Sequence, residues 1–400
     1  MKIDTNRLIN FNYYLALIYA LISVFEVLFW PSNRGLFIDN VLFPFALIHN
    51  LYAFVKYKQF RLFYMFLFLI FLWTFLSDYF NDVVSFQSIS KALIYLKISA
   101  LFSAFYYLIR KKYITTKFLE NAIIIVFLSL CAINILILVN PFDIGKVVQS
   151  LYVYRNDLLI SFFNEPNAAR LSGTMADPNT NSALFAVFFL YFFSIKKSDK
   201  YLYCILSLSM VLMSQSRTVF LMLLIILVVI YILSKMNLLK KIIVLSSSFL
   251  LLISFLILKK SDNLFSLFDG SAFKLNSWLM RIESFGYYFQ MPSNTKILGR
   301  GTTFSPFETI GFYFDSEYIA MLIQHGFVGL ILWFAFVLYN IRQGFIGKLN
   351  IFRIISFVFI LGISFTNTSI SNLNISLVLF MLLAFSISKA NIDNKVHTNT

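Results

Sequence analysis

The 400 residues are 60% hydrophobic and only 13% charged, with a mean hydropathy of +0.80. A soluble globular chain carries about twice that charge fraction, and apolar runs long enough to cross about 30 Å of hydrocarbon recur along the whole length, which excludes a large soluble core. The net charge of +15 does not mark a nucleic-acid binder, because the basic residues sit in short loops between apolar runs, as the positive-inside rule and an attraction to anionic lipid require.

The chain opens with Lys2 and Arg7 ahead of the run Phe11–Trp30. That run is too long for a signal peptide and no small-residue cleavage site follows, so it reads as a first membrane span. Further spans are expected at 36–55, 61–79, 91–109, 119–140, 180–195, 201–215, 217–234, 242–258, 317–340, 354–368 and 375–388, giving about twelve with the first, at 10–30. With both termini cytoplasmic, the inner loops collect Lys56, Lys58 and Arg61, then Arg110, Lys111, Lys112 and Lys117. Lys196, Lys197 and Lys200 follow, then Lys235, Lys240 and Lys241, and finally Arg342, Lys348 and Arg353. The short outer connections hold only Arg34 and, at an edge, Lys91. The expected fold is an all-α polytopic membrane protein in which 1–400 form one integral membrane domain, with two long outer loops at about 141–179 and 259–316. No internal repeat, linker or low-complexity segment is visible.

Cys131 and Cys204 both fall inside apolar runs and suggest neither a disulfide framework nor a metal site. The histidines, His49, His325 and His397, lack metal-ligand spacing. Glu26, Asp39 and Lys97 lie within or near spans, where ionisable groups are costly and often functional, but close enough to span ends that snorkelling accounts for them equally well. His325, a few turns into its span, reads as a buried, hydrogen-bonded histidine. In the second long loop Leu275, Trp278, Leu279, Ile282, Phe285 and Tyr288 or Phe289 recur at helical spacing. Lys274, Ser277, Arg281 and Ser284 line the opposite face, which predicts an amphipathic helix at the membrane–water interface.

Three segments combine polar groups with helix ends. The first runs from Arg170 to Asp177-Pro178-Asn179, the second is Ser214-Gln-Ser216-Arg217-Thr218, and the third is Gly299-Arg300-Gly301 followed by Asp315-Ser316-Glu317. In the expected topology the spans after them all begin at the outer surface, with Asn179, Ser216 and Asp315 or Ser316 as N-caps and Pro178 at a helix start. A helix N-terminus offers unpaired N–H groups and about half a positive charge. Together with Arg170, Arg217, Arg281 and Arg300 these ends would suit an anion such as a diphosphate, whose oxygens the planar guanidinium grips at two points.

These segments resemble the O-antigen polymerase (Wzy-type) family, within the O-antigen polymerase/ligase superfamily of polytopic proteins with a large late periplasmic loop. The resemblance rests on Arg170-Leu-Ser-Gly173 leading to Pro178-Asn179, on Ser216-Arg217-Thr218 between two spans, and on Arg281 preceding Gly299-Arg300-Gly301. It continues through Asp315-Ser-Glu-Tyr318 to Gly326 and Gly329, so the motifs cover roughly 165–340. Ligases carry a histidine where this chain has Asp315, which favours a polymerase. The resemblance implies a multi-pass protein of the bacterial inner (plasma) membrane that transfers undecaprenyl-diphosphate-linked oligosaccharide at its periplasmic face. Arg217 and Arg281 would hold the diphosphate, with Arg170 and Arg300 in support, and Asp315, or alternatively Glu317, would accept the proton of the acceptor hydroxyl. Asn179 and Glu317 complete the expected substrate-binding set. Neither a metal nor another cofactor is expected; the expected partners are the lipid-linked glycan, the bilayer and a polysaccharide chain-length regulator, without nucleic acid. The alternatives are an O-antigen ligase and a lipid-linked oligosaccharide flippase, the latter disfavoured by only 13 Gly and 7 Pro and by polar groups gathered at one face. Alanine at Arg217 or Arg281 is expected to abolish polymer while an immunoblot shows unchanged protein; wild-type polymer in both variants would refute their assignment.

Overall fold

The computed structural model describes residues 13–22, 48–139, 142, 171–195, 199–233, 275–304, 316–346 and 349–397, apart from single positions within these ranges. Among them every regular element is helical. In chain order these are α1 (Arg61–Phe80), α2 (Phe86–Arg110), α3 (Thr116–Val139), α4 (Pro178–Ser194), α5 (Lys200–Met213) and α6 (Arg217–Leu233). Then come α7 (Leu275–Gln290), α8 (Ser293–Leu298), α9 (Glu317–Phe345), α10 (Ile351–Ile363) and α11 (Leu373–His397). Residues 16–22 and 48–56, within the first two expected spans, are helical as well. Each expected span from 61 to 140, 180 to 234 and 317 to 388 has its helix, with α11 continuing past 388 to His397. The expected span 242–258 lies outside the described residues.

Four stretches are long and apolar enough to cross a membrane: Lys58–Phe80, Ser88–Arg110, Thr116–Ile137 and Glu317–Phe345. They are not equivalent. Ser88–Arg110 is 89% buried inside the bundle, against 33–50% for the other three. A helix that is apolar all round belongs in an interior, and α2 shares that place with α4, buried on every side from Thr180 to Phe192, and with the first four turns of α11. The peripheral helices instead expose one stripe at helical spacing: Leu62, Met65, Phe68 and Leu72 on α1, Leu221, Ile225 and Val228 on α6, and Phe327, Ile331 and Leu338 on α9. Lipid tails are as apolar as these side chains, so the helices are held by close packing and interhelical hydrogen bonds rather than by exclusion from water. Phe63, Phe102, Phe336 and Phe380 make such a junction, joining α1, α2, α9 and α11 through ring centroids 4.7–6.3 Å apart. Arg353, expected among the inner-loop cations, turns back into the bundle and donates to Asn340 Oδ1 at 2.7 and 3.2 Å.

The sequence predicts one unbroken span from 317; the structure breaks it. Gly326 has φ 68° and ψ −173°, so α9 consists of a first half, 317–325, and a longer second half. A break inside an apolar bundle strips carbonyls of their helical donors, and water is not there to replace them. Other segments supply the donors here. Ile323 O accepts from Arg300 N (2.8 Å), Gln324 O from Gly301 N and Ser77 Oγ (both 2.9 Å), and His325 O from Trp73 Nε1 (2.7 Å). A Cβ on Gly326 would stand 2.1 Å from Ile297 O, besides the strain of its positive φ. Gly326→Ala is therefore expected to destabilise the protein by more than about 1 kcal/mol, seen as a lower thermal unfolding midpoint in detergent; an unchanged midpoint would contradict this backbone conformation.

Candidate functional site

The first polar segment ends in a capped helix. Asp177, not Asn179, is the N-cap of α4: its carboxylate accepts Asn179 N at 3.2 Å, Thr180 N at 2.8 Å and Thr180 Oγ1 at 2.6 Å. The sequence alone favoured Asn179, but Pro178 with its fixed φ occupies the first helical position and puts the cap one residue before it. One turn on, fully buried Asn181 turns its amide nitrogen to Asn134 Oδ1 (2.8 Å), Leu171 O (3.1 Å) and Ser214 Oγ (3.1 Å). Ser214 closes α5, and Leu171 N bonds Met213 O at 3.2 Å. The turn before α6, which begins at Arg217, is thus fastened to the start of α4.

The third segment reaches the same end of the bundle. Ser316, of the two expected candidates Asp315 and Ser316, caps α9: its hydroxyl accepts from Ile319 N and donates to Ser364 O at 2.9 Å. Glu317 is fully buried and accepts from Ser369 N (2.7 Å), Ser371 N (3.2 Å) and Ser371 Oγ (2.8 Å). A carboxylate in the first turn of a helix is favoured by the helix dipole, and three donors compensate its removal from water. The loop that it grips, 364–372 between α10 and α11, also touches α4 through Asn372 Nδ2 and Thr180 Oγ1, at 3.4 Å. One short connection therefore ties the N-termini of α4 and α9. The sequence reading passed over that connection, although its run of Thr, Asn and Ser between two apolar stretches was the available signal.

Arg300 sits at the far end of the half-helix 317–325, about 13 Å along its axis from Glu317. Its guanidinium carbon lies 5.5 Å from the Tyr287 ring centroid and 5.1 Å from that of Phe304, within cation–π range of two rings inclined by only 12°. Arg300 Nε is buried without a hydrogen-bond partner, and among the described residues the side chain has no ion-pair partner.

The other candidates are placed by backbone only. Arg217 is the first residue of α6 and Arg281 lies midway along α7; their side chains, and the whole of Arg170 and Asp315, fall outside the described residues. The α7 helix forms where its periodicity predicts, but its faces differ from expectation. Tyr288, with Phe285 and Tyr287 beside it, packs on Ile319, Leu322 and Ile323 of α9. Ser284, expected on the polar face, is buried, and Ile282 and Phe289, expected on the apolar face of an interfacial helix, are exposed on the protein surface. The α9 contact takes part of the helix surface that the pattern assigned to lipid or water. His325 is buried as expected, but the expected hydrogen bond is missing at its ring Nδ1, which is buried without a partner among the described residues; only its backbone carbonyl is bonded, accepting from Trp73 Nε1.

Fold and site define a helical membrane protein whose buried polar groups cluster where several helices begin or break. Residues 202–334 match the family model described as O-antigen ligase. That stretch contains the turn before α6, Arg281, Arg300, Glu317 and the break at Gly326, and it supports a place in the O-antigen polymerase/ligase superfamily of membrane glycosyltransferase-like enzymes. No curated protein matches the chain. Replacing Glu317 by Ala strands the amides of Ser369 and Ser371 and is expected to cost about 2–3 kcal/mol, with Glu317→Gln costing less. Thermal unfolding of the two variants checks this, and a Glu317→Ala protein as stable as wild type would contradict the latch.

Proposed function

We propose that this chain is a polysaccharide polymerase that joins undecaprenyl-diphosphate-linked repeat units at the periplasmic face of the inner membrane, with both termini in the cytoplasm. The observation that carries the reading is the meeting of the starts of α4, α6 and α9 through Asn181–Ser214 and the Glu317-bound 364–372 connection. Three helix N-termini facing one region favour an anionic group there, and Arg170, Arg217, Arg281 and Arg300 come from the segments that lead into them or border them.

In the proposed reaction the hydroxyl oxygen of the acceptor's terminal sugar attacks the anomeric carbon of the donor glycan. The bond from that carbon to the diphosphate oxygen breaks, and the lipid diphosphate leaves with the electron pair. Fixed guanidinium groups stabilise the charge that develops on it, with no reorganisation at the moment of reaction. Arg217 and Arg281 hold the diphosphate, and Arg170 and Arg300 support it. The acceptor proton passes to the Asp315 carboxylate. Glu317, whose oxygens already receive three hydrogen bonds, serves the substrate side by fixing the 364–372 connection beside Asn179. The free energy of the transfer resides in the lipid–diphosphate linkage, so a cofactor is not required. A chain-length regulator is a partner of such an enzyme in this reading.

The description of the matching family as a ligase favours a second reading, transfer of finished polymer to a lipid core. Asp315 in the place of the ligase histidine favours the polymerase. A gel of surface polysaccharide from the native host with the gene deleted separates them. Lipid core capped by a single repeat unit, without a higher ladder, is the expected result. Loss of even the single-unit band would indicate the ligase or the flippase, and an unchanged ladder would overturn both transferase readings.

A further inference from the structure

The end of α1, outside the matched stretch, is bonded to the Arg300 loop. Asp78, on its last turn, is 1% exposed and 224 residues away in sequence from the residue that it binds. Its Oδ1 accepts Thr302 N at 2.5 Å and Thr302 Oγ1 at 3.0 Å, and its Oδ2 lies 2.9 Å from the same hydroxyl. Lys91 Nζ, from the start of α2, donates to Thr302 O at 2.8 Å. Asn81 Nδ2 donates to Gly299 O at 3.0 Å, while Gly301 N is spent on Gln324 O. A Cβ on Gly301 would come within 2.9 Å of Asp78 Oδ1, so the loop backbone lies directly on the carboxylate.

Arg300 therefore stands between two anchored neighbours. Its own amide is fixed on Ile323 O, and the backbone on each side is held from α1 or α2. A long cationic side chain is useful to a developing charge only if its root does not move, because an error of about 1 Å already costs much of the effect. Burying a carboxylate is expensive unless it is hydrogen-bonded, and among the described residues every bond that Asp78's carboxylate makes goes to Thr302 in the Arg300 loop.

We propose that Asp78 is the positioning residue of Arg300: through Thr302 it sets the Gly299–Thr302 loop against the broken helix, and so completes from α1 a site whose arginines, from Arg170 onward, all come later in the chain. The role rests on the reading of Arg300 as a support for the donor diphosphate.

The test uses full-length protein in nanodiscs, with transfer followed on a lipid-diphosphate-linked repeat unit and hydrogen exchange recorded on the same preparations. Asp78→Asn is expected to raise KM for the donor about tenfold, as does Arg300→Ala, and the double variant is expected to be no worse than Arg300→Ala alone. Exchange in 299–304 should quicken in Asp78→Asn while 364–372 keeps its wild-type rate. Thr302→Ser should retain activity and Thr302→Val should lose it to the same degree as Asp78→Asn; this pair carries the cycle with Arg300→Ala should Asp78→Asn fail to fold. Multiplying losses in the double variant, or unchanged exchange in 299–304, would overturn the proposal. Absence of transfer by the wild-type protein would instead overturn the polymerase reading, and the exchange rates would still decide whether Asp78 holds the loop.

Discussion

A helix that breaks inside an apolar bundle must find hydrogen-bond donors for the carbonyls it releases, and much of this structure is arranged around that requirement. At Gly326 the needed donors come from two directions: from the backbone of the Gly299–Gly301 loop, which approaches closely only because glycine leaves room, and from Ser77 and Trp73 on α1. In a medium of low dielectric each such bond is strong, and each missing one is costly. The break is thus stable only as part of an assembly of three segments far apart in sequence.

The break also fixes what lies on either side of it. The half-helix 317–325 becomes a short rigid strut with a polar cluster at each end. At its start Glu317 and Ser316 grip the α10–α11 connection, which reaches α4 through Asn372 and Thr180. At its end Arg300 is presented between Tyr287 and Phe304. Packing of Tyr288 and Met291 on Ile319, Leu322 and Ile323 holds α7 along the same strut.

The match to the O-antigen ligase family begins in α5 and ends within α9, yet part of what holds the Arg300 loop comes from Asp78 on α1, Asn81 just beyond it and Lys91 on α2, beside its bonds to α9. The first part of the chain is thus more than a membrane anchor for the second. Asp78 illustrates why sequence reasoning passed it over. It stands near the end of an apolar run, where a carboxylate reads as a solvated terminus, and its partner Thr302 is 224 positions away. The same holds for Ser369 and Ser371, ordinary loop residues until Glu317 is set against their amides.

The sequence by itself determined the membrane class, the helical segments and the residues that begin several of them, because apolar run length, proline at a helix start and serine at an N-cap act within a few positions of one another. The starts of α6 and α9 and the extent of α7 were legible for that reason; the cap of α4 was misplaced by two residues, from Asp177 to Asn179. Hydropathy could not tell the interior helices α2 and α4 from lipid-facing ones, since in a bilayer both environments accept the same side chains. Only the tertiary structure decided which helices are central, that α9 breaks at Gly326, and that Asp78 and Glu317 each serve a distant loop. Those features depend on hydrogen bonds between segments tens to hundreds of residues apart, which a local pattern does not encode.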